Sequence, residues 1–173
     1  MLKIVGLGPG NPGLLTAETT ELLKNADCVV LRTKEHPTVS VLSSLGIEFS
    51  TCDHFYDNLA DFDAVYEAIA EHVLALAHVK DVVYAVPGSP MVAERTVAEL
   101  RKRATTSNVE LCIFSAVSFL DELFARLQID PLRFGVTVVD ANDIWQLPTT
   151  LNTPLIVTQV YDARTLSEAK LAL

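Results

Sequence analysis

The opening stretch, MLKIVGLGPGNPGLLT, limits what this chain can fold into more than any other segment. An apolar run, Leu2 to Val5, leads into Gly6, Leu7, Gly8, Pro9, Gly10, Asn11, Pro12 and Gly13, and a helical pattern opens at Leu14-Leu15-Thr16. The apolar run reads as a buried central strand. Glycines permit φ > 0 and close backbone approach, while prolines fix φ and remove N–H donors, so the stretch between is a shaped loop. Strand, glycine loop and helix together present bare backbone and a helix N-terminus to a ligand. The competing reading is a tight turn with no ligand; the density of Gly and Pro favours a site.

Two nucleotide motifs can be weighed against this loop. A phosphate-cradling P-loop needs Lys-Ser/Thr after its glycines, and none follows here. Gly8 to Gly13 matches G-x-G-x-x-G literally, but its two prolines each delete an N–H that could face a pyrophosphate. Glu35 lies near the position expected of a ribose-binding acid, which keeps an NAD-binding oxidoreductase as an alternative.

Composition narrows the partners. The chain has 173 residues, 50% of them hydrophobic, enough for a substantial core in one or two small domains. A net charge of −9 argues against nucleic acid. The one tight basic run, Arg101-Lys102-Arg103, is expected at a helix end, where cations favour the dipole. Cys28, Cys52 and Cys112 have no metal or disulfide spacing; Cys28 and Cys112 are expected to be buried in apolar strands, and the set suits a reducing compartment. His36, His54, His72 and His78 lack metal-ligand spacing, so no metal is expected. No signal peptide or membrane span is legible, and a soluble cytoplasmic protein is expected.

Along the chain, helices are expected at 16–25, 38–45, 61–79, 91–103 and 119–127, and strands at 27–31, 47–51, 81–86 and 109–114, with 53–58 as a loop. Thr16 is the expected N-cap of the first helix and Gly46 the stop of the second. In the longest helix Phe62, Val65, Ile69, Val73 and Leu76 form the inward stripe. Alternating strands and helices indicate a mostly parallel α/β sheet, whose ligands bind outside the strands' carboxyl ends. Three segments put small or special residues there: Gly6 to Gly13, Pro87 to Pro90, and Ser115 to Ser118. From Pro131 the texture changes. Gly135 to Val139 and Pro154 to Val160 read as strands, plausibly antiparallel, separated by a polar loop, Asp140 to Thr153, and followed by a helix from Leu166 to Leu173. The expected layout is an α/β domain over 1–113 and an incomplete α+β domain over 114–173, within a longer polypeptide.

The segments VGLGPGNPGLLT, NADCVVLRT, YAVPGSPMVAERTVAEL and SAVSFLDELF resemble, in order, the tetrapyrrole (corrin/porphyrin) methylase family. LRTKEHP, YAVPGSPMVAERT and LIVTQVYD resemble in particular the amino-terminal methylase domain of proteins that carry a MazG-type nucleoside triphosphate pyrophosphohydrolase after it. The resemblance implies two α/β domains, a homodimer, and S-adenosylmethionine in the interdomain cleft, leaving as S-adenosylhomocysteine. It implies that Gly6, Gly8, Pro9, Gly10, Pro87, Gly88, Ser89, Pro90, Met91, Ser115, Ala116, Val117 and Ser118 line that cleft, with Gln159 as a further cofactor contact. Asn11 and Ser89 stand where many members carry Asp. No catalytic residue stands out; Asp121 and Glu122 read as solvated or capping groups. Two functions of different class follow from the resemblance: methylation of a small acceptor such as a tetrapyrrole, or a non-catalytic module that binds a ligand and regulates an attached pyrophosphohydrolase.

Overall fold

The computed structural model describes residues 1–59, 61–148 and 152–172. The chain divides into two compact units, Met1–Asp121 and Glu122–Leu173. The expected boundary at 113/114 falls inside the first of them.

In the first unit, β1 (Leu2–Gly6) is followed by a 3-10 turn, Pro12–Leu14, then α1 (Ala17–Lys24), β2 (Cys28–Leu31), α2 (Val39–Ser44), β3 (Ser50–Thr51), α3 (Asp53–Asn58), α4 (Phe62–Ala77), β4 (Val82–Val86), α5 (Arg95–Ser107), β5 (Leu111–Ile113) and the start of α6 (Phe119–Leu127). The strands pair in the order β3-β2-β4-β1-β5, and every pairing is parallel. β4 is buried along its whole length, as its uninterrupted VVYAV sequence requires of a strand covered on both faces. Side-chain alternation divides the core in two. Leu2, Ile4, Val82, Tyr84 and Val86 pack with α4 and α5 residues such as Ile69, Val73 and Leu100. Val5, Val83 and Ala85 pack on the other face with Leu23 of α1 and Leu42 of α2.

Local chemistry sets the helix ends. Thr16 caps α1, its Oγ1 accepting from the Thr19 amide at 3.1 Å. Gly46, at φ +70°, ends α2 in a Schellman turn: Ile47 N–H reaches Leu42 O and Gly46 N–H reaches Ser43 O, while Leu42 and Ile47 are both buried. Ser118 and Asp121 form a capping box at α6: Asp121 accepts from the Ser118 amide at 2.7 Å, and Ser118 Oγ accepts from Leu120 N–H at 3.1 Å.

Several local expectations give way. Residues 53–58 form α3 rather than a loop. α5 starts at Arg95, not Met91, because Ala93 takes a left-handed φ of 55° and Glu94 is extended. The same helix runs on to Ser107, so Arg101 to Arg103 are not at its end; Arg103 instead bridges Glu67, Glu71 and Glu99 between α4 and α5. Phe62, expected inward, is exposed, and Leu74 and Ala77 join the buried stripe. Of the cysteines, Cys52 is the buried one. Cys28 is half-buried and Cys112 is exposed, because β5 is an edge strand.

The second unit holds the end of α6, α7 (Pro131–Phe134), β6 (Thr137–Asp140), a 3-10 segment (Ala141–Gln146), β7 (Leu155–Thr158) and α8 (Ala163–Ala172). Contrary to the antiparallel expectation, β6 and β7 are parallel, in the register Thr137↔Leu155 to Asp140↔Thr158. Parallel neighbours need a crossover of about a dozen residues or more, and the stretch from Ala141 to Pro154, which carries the 3-10 segment, supplies it. α8 packs on that segment, where Ala141, Ile144 and Ala169 are buried. Parts of the expected loop at 140–153, and the expected helix end at Leu173, lie outside the described residues.

Burial pushes the Cys52 thiol up to about 12, with Asp53 adding to the effect. Since the thiolate is the nucleophile, a disulfide reagent at pH 8 should modify Cys112 in the folded chain and leave Cys52 untouched until denaturant is added. Mass spectrometry of the labelled peptides checks this.

Candidate functional site

In this sheet the carboxyl ends of β1, β2 and β4 meet at a change of direction. The helix following β1 covers one face, and so does that following β2, whereas α5, following β4, covers the other. Connections that leave to opposite faces open a crevice at the strand ends, and β4 has such a neighbour on each side.

The loops after β1, β4 and β5 converge there on one α-carbon. A Cβ placed on Gly6 would lie 2.2 Å from the Gly88 carbonyl oxygen, 2.5 Å from the Ala116 Cβ and 2.9 Å from Pro90 Cδ. The three segments singled out from sequence are thus in contact through Gly6. Two residues on, Gly8 and Gly88 exchange backbone hydrogen bonds: Gly88 N–H to Gly8 O at 2.8 Å and Gly8 N–H to Gly88 O at 3.2 Å. Their amides therefore serve the fold. Both sit at positive φ, +73° and +67°. The tight packing within the fold is at Gly6, whereas a Cβ on Gly88 meets nothing within 4 Å and would project into open space.

Around this junction Leu7, Gly8 and Pro90 are buried, Pro9, Gly10, Pro87, Gly88 and Ser89 are half-buried, and Met91 stands 59% exposed at the tip of its loop. Ser89 O accepts from Val92 N–H, closing a turn around Met91. Ser115 is exposed, Ala116 and Val117 half-buried, and Ser118 is occupied by its capping box with Asp121. Asn11 Oδ1 accepts from the Gly13 amide and so stabilises its own loop. Gln159 lies in the second unit, exposed, just after β7 at φ 59°.

The segment after β2 is fastened to the same edge. Thr38 Oγ1 donates to Leu7 O at 3.2 Å, and Pro37 is the nearest neighbour of Gly10. Asp53 accepts from Thr33 Oγ1 at 2.6 Å and from Lys34 N–H at 3.0 Å. Burial pushes the Asp53 carboxyl up, but hydrogen bonds from Thr33, Thr51 and Lys34 outweigh it and hold it below the usual range. His36 is held below its ordinary value, chiefly by burial and further by Arg32, although the Gly8 backbone works the other way. It is therefore neutral at pH 7. Arg32, a surface cation by its sequence context, lies only 26% exposed and donates from Nη1 to Glu94 Oε2 at 3.0 Å. Burial opposes the Arg32 charge, and Glu94 with the nearby tyrosines Tyr56, Tyr84 and Tyr66 more than restores it. Glu94, 3% exposed in its side chain, also accepts from the Thr96 amide and so caps α5.

Sequence reasoning missed Glu94, Asp53 and Thr38. An acid immediately after the Pro-Gly-Ser-Pro loop, inside a run of small and apolar residues, was the available signal for Glu94. The dinucleotide alternative also loses its geometry. β4 lies between β1 and β2, so Glu35 beyond β2 is a strand removed from the glycine loop, and α1 begins only at Ala17 behind the 3-10 turn. Among the described residues no group of three or more His, Cys, Asp or Glu could hold a metal, and no helix is long and apolar enough to cross a membrane.

Two expected outcomes follow from this edge. Gly6→Ala should cost at least about 3 kcal/mol, the upper end of overpacking effects, because backbone must move. Gly88→Ala should cost only about 1–2 kcal/mol, for its left-handed φ; urea unfolding of the two variants makes the comparison. Asp53, with its folded value lowered, stabilises the fold above the ordinary carboxylate range and loses that contribution as pH falls through the lowered value. In Asp53→Asn the acid limb of the melting-temperature profile below pH 4 should flatten relative to the parent chain.

The fold has a solved counterpart: the uroporphyrin-III-C-methyltransferase from Thermus thermophilus matches with a TM-score of 0.67 at 22% identity, over 90% of this chain and 66% of that one. Among curated proteins, YabN of Bacillus subtilis (strain 168), described as uncharacterized, is 42% identical over 172 residues. That match takes in 99% of this chain but 35% of YabN, so the chain spans about a third of the relative's length. The family model for tetrapyrrole (corrin/porphyrin) methylases matches residues 1–173, and with its five-stranded parallel sheet among the described residues and the glycine junction at its carboxyl edge, the chain belongs to that family.

Proposed function

We propose that the chain is an S-adenosylmethionine-dependent methyltransferase acting on a small acceptor, with a tetrapyrrole as the acceptor class its family suggests. The observation that carries this reading is the junction at Gly6, where three loops meet at a switch point with open space in front of Gly88. The residues around it fit such a cofactor. They are small and uncharged, they offer a shaped surface rather than ionic groups, and Met91 adds an exposed apolar side chain.

The bound cofactor supplies a methyl group on a sulfonium, already activated for in-line displacement. Alignment can then provide much of the rate, and no acid–base dyad is needed. The chain's own residues would act by shape and restraint. Gly6 lets the loops close on one another, the Gly8–Gly88 exchange fixes their spacing, and neutral His36 beside the glycine loop adds no charge to repel a sulfonium.

A second reading rests on Asn11 and on chain length. The Asn11 carboxamide is spent on its own loop where many family members carry a carboxylate, and the Bacillus relative is far longer than this chain. On that reading the site senses a ligand and regulates an attached MazG-type pyrophosphohydrolase. The family resemblance also supports a homodimer, and the three free cysteines suit a reducing cytoplasm.

Calorimetric titration should give binding of S-adenosylhomocysteine to this chain and none of NAD. A Cβ at Gly88 would enter the open space, so a folded Gly88→Ala chain should bind at least tenfold more weakly. Incubation with methyl-labelled S-adenosylmethionine and a cellular small-molecule pool separates the two readings. Transfer of label to an acceptor is the methyltransferase outcome; binding without transfer is the sensor outcome, and equal affinity of parent and Gly88→Ala chains sinks the proposed placement.

A further inference from the structure

We infer that the Arg32–Glu94 pair is a positioning latch that holds the Pro87–Ala93 loop in its ligand-binding shape, and that it serves ligand affinity rather than the stability of the fold. This inference rests on the methyl-donor site proposed above.

The loop leaves β4 and must return to start α5, and it is fastened at both ends. At its start Gly88 exchanges two backbone hydrogen bonds with Gly8. At its finish Ala93 takes a φ of 55°, a left-handed conformation that an L-residue adopts only under constraint. The constraint comes from the next residue. Glu94 is extended, and its two carboxylate oxygens face in different directions: Oε1 accepts from the Thr96 amide at 3.2 Å, and Oε2 accepts from Arg32 Nη1 at 3.0 Å. Arg32 is itself anchored, its backbone N–H reaching Ala85 O at 2.9 Å beside the end of β4. The carboxylate thus ties the far end of the loop to the carboxyl end of β2, across the crevice between β2 and β4. Between the two ties lie buried Pro90 and the Ser89–Val92 turn, and the tip carries exposed Met91.

Energetics point the same way. A buried ion pair loses much of its Coulombic gain to desolvation, and replacing both partners together by neutral groups is often neutral for stability. Glu94 is 3% and Arg32 26% exposed in the side chain, so most of that cost falls on the carboxylate. Strained left-handed residues next to a ligand loop are where such constraints are found. The bond joins residues 62 positions apart, so no local turn chemistry would create it.

The test uses Arg32→Met together with Glu94→Gln in the 173-residue chain. Gln keeps an acceptor for the Thr96 amide, so the helix cap survives while the ion pair is lost. Val73→Ala, a buried α4 position away from the loop, is the stability control. S-adenosylhomocysteine is the probe, titrated by calorimetry, with melting temperatures measured alongside. The double variant should bind at least tenfold more weakly while melting no lower than Val73→Ala, and Val73→Ala should bind within twofold of the parent. The chain has only two methionines, Met1 and Met91, so methyl-labelled methionine reports on the loop directly. The Met91 methyl signal should shift or narrow in the double variant and stay put in Val73→Ala. Should the double variant not fold, Glu94→Gln alone should weaken binding severalfold. Parent-like affinity in whichever variant folds overturns the latch and leaves the proposed site standing. Failure of the parent chain to bind the probe overturns both.

Discussion

Everything at the ligand edge depends on one missing atom group. The Gly6 α-carbon sits so close to the Gly88 carbonyl, Ala116 and Pro90 that any side chain would push them apart. Because it is bare, the loop after β1 can lie flat on the loop after β4 and touch the segment after β5. The pairing of Gly8 with Gly88 then extends the β1–β4 ladder by one antiparallel rung past the end of the strands. A sheet whose strands are parallel ends in a short reversal, and that reversal consumes the amides a ligand would otherwise find. What remains available is shape: the space before Gly88 and the exposed Met91.

Charge is organised around that shape rather than within it. The chain carries a net −9, yet its crevice cation, Arg32, is neutralised by a buried partner. The other polar groups of the edge are turned inward to hold loops: Asp53 gathers Thr33 and Lys34, Asn11 gathers Gly13, and Asp121 gathers Ser118. Loops fastened this way would cost the proposed ligand little ordering on binding.

How much of this the sequence carried can be judged residue by residue. Thr16, Gly46 and the VVYAV strand act through near neighbours, and each was legible because caps, stops and double-sided burial leave local marks. The three loops were legible as small-residue clusters at strand ends. Where a long-range contact decides, the reading failed. Met91-Val92-Ala93 looks like the first turn of a helix, but Ala93 turns left-handed and Glu94, tied to the distant Arg32, becomes the cap. Cys112 looks buried because its run is apolar, but strand order puts β5 at an edge. The β6–β7 pairing was read as antiparallel because the crossover is a 3-10 segment, which leaves a weaker sequence trace than a helix. Sequence marks Gly6 and Gly88 alike as small residues at strand ends and cannot say which one packs against the neighbouring loop and which faces open space.

The strand order has a consequence for how the molecule is made. β1 is synthesised well before its partners, Val82–Val86 on one side and Leu111–Ile113 on the other. While the ribosome adds the intervening chain, Leu2, Ile4 and Val5 have no strand to pair with, and an unpaired apolar strand invites association with other nascent chains. β2 can pair with β3 but waits for β4 on its other side. β4 then slots between two strands already made, and the cover over it is completed only by α5 and β5, which follow. Chaperone cover during that interval therefore bears on yield.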